Sequence, residues 1–239
     1  MTFTYNDEKH EYRLDDELLP GVTTILGTLS KPALIQWAAN MACDYINSVM
    51  IEGKPITLDV IKEARTAHAK KRDKAAGQGT DVHAEIEKYI KSCIADGVTH
   101  AHSVNEAHQV SRFVDWAMTN AVVFHDSERV LHSVEHKFAG TCDFTATVGG
   151  RKLVGDIKTT SGIYDLSPFL QCAAYQIMLR EAGETGYVGS VIIRLGKDGT
   201  FEEFYRNDDL GEDMETFLSL LKVYKQLTKF KNQQKTNKK

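Results

Sequence analysis

The sequence predicts an α/β fold, a mixed central β-sheet flanked by helices and entered through a helical N-terminal region. Three observations predict it. Up to about residue 120 apolar residues recur at helical spacing, and beyond Ala121 short alternating runs take over. Gly149-Gly150 lies between two such runs, a strong signal for a two-residue hairpin. A single helix, with Ser167 as cap, Pro168 at its first position and Gly183 as its stop, then separates that hairpin from two further strands.

Taken in order, the chain opens with strand-like Phe3–Tyr5 and Tyr12–Leu14 and a Pro20-Gly21 turn. Ala33 to Val49 reads as a helix carrying Leu34, Trp37, Ala38, Met41 and Ile46 on one side. Leu58 to Ala76 reads as a second helix ending at Gly77. Thr80 is a plausible N-cap for a third, Asp81 to Ala95, with Val82, Ile86, Tyr89, Ile90, Cys93 and Ile94 as its apolar stripe. Ser103-x-x-Glu106 has the pattern of a capping box before a helix that buries Val110, Phe113, Val114 and Ala117. Strands are predicted at Ala121–Phe124, Arg129–His136, Lys137–Val148, Arg151–Thr160, Tyr187–Leu195 and Thr200–Tyr205, the last two around a Gly196–Gly199 turn. A final helix is predicted from about Asp208 to Phe230.

With 239 residues, 42% of them hydrophobic and 26% charged, the composition suits one large domain with a core of its own. No apolar run approaches the roughly 18 residues of a membrane span. The opening MTFTYNDEKHEYR is polar and has no apolar signal core, so a cytosolic protein is expected. The four cysteines, Cys43, Cys93, Cys142 and Cys172, form no C-x-x-C pair and read as small buried residues. The formal charge of −4 is unevenly spread. From Phe217 onward there is no acid but seven lysines, and Lys62 to Lys74 holds six positive against two negative side chains. Such runs are either solvated faces or contacts for a polyanion.

The chemistry is concentrated in FAGTCDFTATVGGRKLVGDIKTT, Phe138 to Thr160. If Gly149-Gly150 is the turn, Val148 faces Arg151, and counting outward puts Asp143 opposite Asp156 at a non-hydrogen-bonded pair, with Cβ atoms roughly 4.5–5.5 Å apart. Two carboxylates that close repel, and a divalent cation offsets the repulsion. Magnesium takes carboxylate oxygens while keeping room for water and phosphate oxygens. Lys158, two residues after Asp156, shares its face about 6.6 Å along the strand. Its ammonium can orient an attacking water or stabilise charge building on a phosphate. The other face, Phe144, Ala146, Leu153, Gly155 and Ile157, suits a core. Gln171 and Tyr175, four apart, share a helix face and can either hold a phosphate or brace the Asp-Lys strand. His83, near the expected helix start, suits a neutral imidazole ligand, since the positive helix end disfavours protonation. Glu87, one turn on, either supports it or is a surface carboxylate.

Five pieces stand in a recognisable order: Pro20-Gly21-Val22-Thr23-Thr24-Ile25-Leu26 followed by Trp37; Gly79-Thr80-x-x-His83; Glu135 followed by Ala139-Gly140-Thr141-x-Asp143; Gly155-Asp156-Ile157-Lys158-Thr159; and Gln171-x-x-x-Tyr175. Together they resemble the PD-(D/E)XK nuclease superfamily and, within it, the RecB-like and phage-type exonuclease branch. The resemblance implies a restriction-endonuclease-like core in one domain over residues 1–230, mainly helical over 1–120 and carrying the catalytic sheet over 121–230, followed by a basic disordered tail over 231–239. It implies phosphodiester hydrolysis with Mg2+ or Mn2+ held by His83, Glu135, Asp143, Asp156 and the Ile157 carbonyl, and with Lys158 positioning the nucleophile beside Gln171 and Tyr175. It implies an exonuclease acting on DNA, as single strand or duplex ends, with the N-terminal helices as an arch and a recombination or annealing protein as companion, in a bacterium or a phage-infected host. Some members carry an iron–sulfur cluster that needs a late group of cysteines. None follows Cys172 here, so no such cluster is expected. A site-specific or structure-specific endonuclease on the same fold, and a non-catalytic DNA-end binder, are the alternatives. Loss of an acid or of the lysine would mark the second, and Asp143, Asp156 and Lys158 are all present.

Overall fold

The computed structural model describes residues 1–29, 31–101, 108–206 and 210–236. The chain divides into two compact units: Met1–Thr28 with Val82–Lys239, and Leu29–Asp81. The change of texture near Ala121 is therefore not the boundary between them.

In the larger unit, strands β1 (Phe3–Asn6), β2 (Glu11–Leu14) and β3 (Glu17–Leu19) form an antiparallel three-stranded sheet. Asp15 and Asp16 turn β2 into β3 with φ of 46° and 66°, and the Asp15 carboxylate accepts the Thr2 N–H. Asp tolerates this left-handed conformation better than most side chains. The third strand was not legible in the sequence. Helix α1 (Val22–Leu26) follows, and Gly21 bridges to Ala139 of the main sheet.

The smaller unit holds α2 (Pro32–Ile51) and the first part of α3 (Leu58–Asp96). Trp37 meets His68 edge-on at 6.2 Å. Val49 and Ala64 are its buried apolar side chains among the described residues, while Leu34, on the apolar side of α2, is 54% exposed. Cys43, expected to be buried, is exposed. The two helices expected at Leu58–Ala76 and Asp81–Ala95 are one helix of 39 residues, so Thr80 lies in its interior and not at an N-cap. A glycine inside a helix costs only about 1 kcal/mol, and the Ala, Lys, Arg and Glu around Gly77 offset it.

Helix α4 (His108–Thr119) buries Val110, Phe113, Val114, Trp116 and Ala117. The capping box at Ser103 and Glu106 lies outside the described residues. Strands β4 (Val123–Ser133), β5 (Phe138–Val148), β6 (Arg151–Lys158), β7 (Tyr187–Leu195) and β8 (Phe201–Arg206) form a five-stranded sheet in that order. It is mixed: β6 and β7 run parallel and the other neighbours antiparallel. The two strands expected at Ala121–Phe124 and Arg129–His136 are the single β4, with a register shift between Phe124 and Asp126. Its turn into β5 covers residues 134–137, so Glu135, His136 and Lys137, expected in strands, lie in a turn.

Helix α5 (Ser167–Glu181) makes the parallel crossover. Its N-cap is Leu166, so Ser167 is helical and not a side-chain cap. The Glu184 N–H bonds the Leu179 carbonyl and the Gly183 N–H that of Arg180, which closes the helix end. Helix α6 (Leu210–Thr236) continues six residues into the segment expected to be a disordered tail, its row of helix-forming side chains sustaining it.

One core joins α3 and α4 to the sheet through Tyr89, Phe113, Trp116, Phe124, Phe144, Leu153, Ile157 and Val191. α5 covers the other sheet face and packs on β4 through β7. Among the described residues no helix is long and apolar enough to cross a membrane.

Candidate active site

The site follows from strand register. Gly149 and Gly150 both take positive φ, 56° and 77°, as the tight turn requires. Val148 therefore pairs with Arg151, and the ladder runs back to Phe144↔Gly155. Asp143 and Asp156 are the next residues on each strand. A continued ladder would offer the Ile157 N–H to the Cys142 carbonyl. The Asp143 side chain takes it instead, Oδ2 accepting at 2.7 Å. Asp143 is thereby anchored to the strand of its expected partner.

On the other flank, β4 pairs Ser127↔Phe144 and Arg129↔Cys142, which sets Glu128 opposite Asp143. Glu128, Asp143 and Asp156 thus form a row across three adjacent strands. Glu128 adopts φ 47°, uncommon for a residue with a side chain. A strained backbone of this kind persists where its surroundings over-determine it.

Helix α3 brings in the fourth member. His83 Nδ1 lies 3.8 Å from Asp143 Oδ2. The ligand atoms of His83, Glu128 and Asp143 all fall within 4.8 Å of one another, and all three residues are half-buried. His83 sits in the interior of α3, so the helix-end argument for its neutral form does not apply. Glu87, one turn on, pairs with Lys91 and lines the same cavity.

Asp156 is fully buried, and Lys158 Nζ donates to its Oδ1 at 2.6 Å. Its Oδ2 is buried with no hydrogen-bond partner. An orphaned carboxylate oxygen is costly in an apolar setting. Burial, opposed by Lys158 and reinforced by Asp143, pushes the Asp156 carboxyl up. Glu128 is pushed up to about 8 by burial and then by Asp143 and Glu87. Lys158 is raised although burial works against its charge, because Asp156 and Asp143 outweigh it. Burial and mutual repulsion thus hold the Glu128 and Asp156 carboxyls toward their protonated forms, which is the condition a divalent cation would relieve.

Gln171 and Tyr175 come to the same place from α5. Gln171 Nε2 donates to the Tyr175 hydroxyl at 3.0 Å, and its Oε1 accepts from Lys158 Nζ at 3.4 Å. Both side chains are buried, Tyr175 almost completely. Of the two roles open to them in the sequence, this geometry is that of a brace on Lys158.

Glu135 is a correction. It lies in the β4–β5 turn with its side chain 75% exposed, grouped with His136 and Glu181 and away from His83. The acid that joins His83 and Asp143 is Glu128, seven residues earlier. Ile157, between Asp156 and Lys158, has its side chain in the core and its N–H on Asp143.

No family model matches the chain, and no curated protein sequence does. Among solved structures, the crystal structure of SSO0001 is similar at 13% identity and TM-score 0.30, covering 48% of this chain and 56% of that one. An alkaline exonuclease (LHK-Exo) from Laribacter hongkongensis is similar at 12% identity and TM-score 0.31, covering 56% of this chain and 77% of that one. The chain thus spans little more than half the length of the first. Likenesses this slight carry no weight for fold or activity.

Proposed function

We propose that this chain is a nuclease of the PD-(D/E)XK type that hydrolyses DNA phosphodiester bonds with Mg2+ or Mn2+, on a restriction-endonuclease-like core. The observation that carries the reading is the row Glu128–Asp143–Asp156 with His83 at one end and Lys158 at the other. The residues present fit a hard divalent cation. Their ligand atoms are carboxylate oxygens and one imidazole nitrogen, and an orphaned oxygen of Asp156 is available beside them. Asp143, Glu128 and His83 would hold the ion, with Asp156 and the Ile157 carbonyl completing the set. Bound there, the cation would polarise the phosphate and lower the pKa of a water beside it.

The chain's own residues supply the rest. Lys158 keeps its ammonium charged between two carboxylates, so it is a donor aimed at charge developing on the phosphate or at the incoming water. Gln171, anchored on Tyr175, fixes where that ammonium points. Asp143, holding the Ile157 N–H, keeps β5 and β6 in step at the point where their ladder ends.

Action from DNA ends rests on the motif resemblance. Digestion of linear and covalently closed circular DNA, single- and double-stranded, tests it. The expected result is short products from linear DNA and intact circles. Rapid nicking of circles would replace the reading with an endonuclease, and inertness on every substrate with Mg2+ or Mn2+ would leave a DNA-binding protein.

A further inference from the structure

The cavity beside the metal-ligand cluster is larger than the chemistry needs. It has a volume of about 480 Å3 and reaches from Asp143 and Glu128 to Tyr5, His10 and Tyr12 of the N-terminal hairpin. A cation and one phosphate fill only part of such a space, which leaves room for part of the nucleotide that carries the phosphate.

The far wall is aromatic and already ordered. The Tyr5 and Tyr12 rings stack with centroids 4.9 Å apart and planes 19° apart. Tyr12 is tied to β5 by a hydrogen bond between its hydroxyl and Thr141 Oγ1 at 3.1 Å. The Tyr5 hydroxyl donates to Asp7 at 3.0 Å and lies 3.0 Å from His10 Nδ1. A ligand meeting this wall does not have to order it, which removes much of the usual entropic cost of binding.

The charges decide the class of ligand. Asp7, Glu87, Glu128 and Asp143 line the cavity, and its lysine, Lys91, is paired with Glu87. This potential repels a second phosphate once the cation has taken the first. It does not repel an uncharged π-face. Base–aromatic stacking has that character and tolerates any base.

We propose that Tyr5 and His10, backed by the buried Tyr12, form a stacking subsite that seats the base of the nucleotide attached to the phosphate under attack. The proposal rests on the nuclease reading of the same cavity. It gives the hairpin a positioning role toward substrate and makes cleavage depend on the presence of a base at one defined place.

Oligonucleotides carrying a single abasic nucleotide, walked along the strand past the cleaved bond, test this with full-length protein and Mg2+. The wild type is expected to show one position at which loss of the base raises KM about tenfold with kcat little changed, within the range of one base–aromatic stack. Tyr5→Ala and the exposed His10→Ala should raise KM on intact DNA and lose that positional penalty, while Tyr5→Phe, which keeps the ring, restores it. His10→Ala carries the test if Tyr5→Ala does not fold, as judged by its melting curve. A wild-type enzyme that cleaves abasic and intact DNA alike at every position, or folded variants that keep the penalty, would overturn the subsite and leave the nuclease intact. A wild type that cleaves nothing would overturn both.

Discussion

Two clusters, each of one histidine and two acids, lie along the β4–β5 pair, one at its middle and one at its turn. His83, Glu128 and Asp143 form one; Glu135, His136 and Glu181 form the other. Each brings a histidine and two acids close enough for a metal, yet they differ in every property that makes such a group useful. In the first, all three residues are half-buried, the backbone of Glu128 is strained, and Asp156 with its orphaned oxygen lies on the next strand. In the second, Glu135 and Glu181 are exposed. Glu181 is already occupied, accepting from Ser133 Oγ and from the N–H groups of Val134 and Glu135. The Ser133 hydroxyl and two backbone N–H donors satisfy that acid, so little is left for an ion to relieve. A cluster's residue types do not define a site; its unmet demand does.

The largest test of this contrast is loss of cleavage. Asp156→Ala and Lys158→Ala should each reduce the single-turnover rate about 100-fold or more with the fold retained: the first thins a crowded acidic row, and when the second removes the ammonium, the Asp156 carboxyl, already pushed up by burial, can take a proton. Either variant keeping more than about a tenth of the rate, roughly 1.4 kcal/mol of barrier, would break the assignment. Glu135→Ala should change the rate less than about threefold.

Cation binding comes next. Chelation should abolish activity and Mg2+ or Mn2+ restore it, with Ca2+ bound but unproductive because its looser geometry orients water poorly. Calorimetric titration with Mn2+ should show Glu128→Gln weakening binding about tenfold and Glu135→Gln leaving it unchanged. Equal losses from both would erase the distinction between the clusters.

A pH effect of smaller size follows from Glu128. Its carboxyl titrates near 8 in the fold, against an ordinary value of 4.5. Folding therefore disfavours its ionised form. The stability it contributes is complete below about 4.5 and is lost as pH rises toward 8. Melting temperature of chelated protein should fall over that window, and Glu128→Gln should flatten the fall. A slope untouched by Glu128→Gln but flattened by Glu135→Gln would invert the comparison.

The smallest effect concerns the basic end of α6, where Lys225 Nζ donates to the His136 carbonyl beside the exposed cluster. Truncation after Phe230 removes four lysines, Lys231, Lys235, Lys238 and Lys239. If they touch single-stranded DNA, the slope of log K against log salt should fall by up to about 2.8, with single-turnover chemistry unchanged. An unchanged slope assigns them to a solvated surface.

The β5–β6 hairpin was legible because its turn is written in glycine. Gly149-Gly150 admits one register, and every pairing counted from it is the observed one as far as Phe144↔Gly155. Glu128 was not legible because the neighbouring turn, Val134–Lys137, contains no Gly, Pro, Asn or Asp. Without a turn to count from, β4 had no register, and the motif resemblance offered Glu135 as the further metal-holding acid. A second reason is the shift between Phe124 and Asp126, where β4 gains a residue and alternation fails. His83 was found by motif and misplaced by local logic, since two glycines read as a break in a helix that does not break. The brace from Gln171 to Lys158 needed the crossover helix laid on the sheet, which spacing alone does not supply.

The ring of Phe144 rests where Gly155 has no side chain, and a Cβ at that position would come within 2.0 Å of it. Phe144 and Gly155 are the chain neighbours of Asp143 and Asp156. The thickness of one benzene ring thus acts as a gauge for the separation of two carboxylates that it never touches. A substitution as mild as Gly155→Ala would have to displace that ring or the strand, and with either the spacing of the two carboxylates.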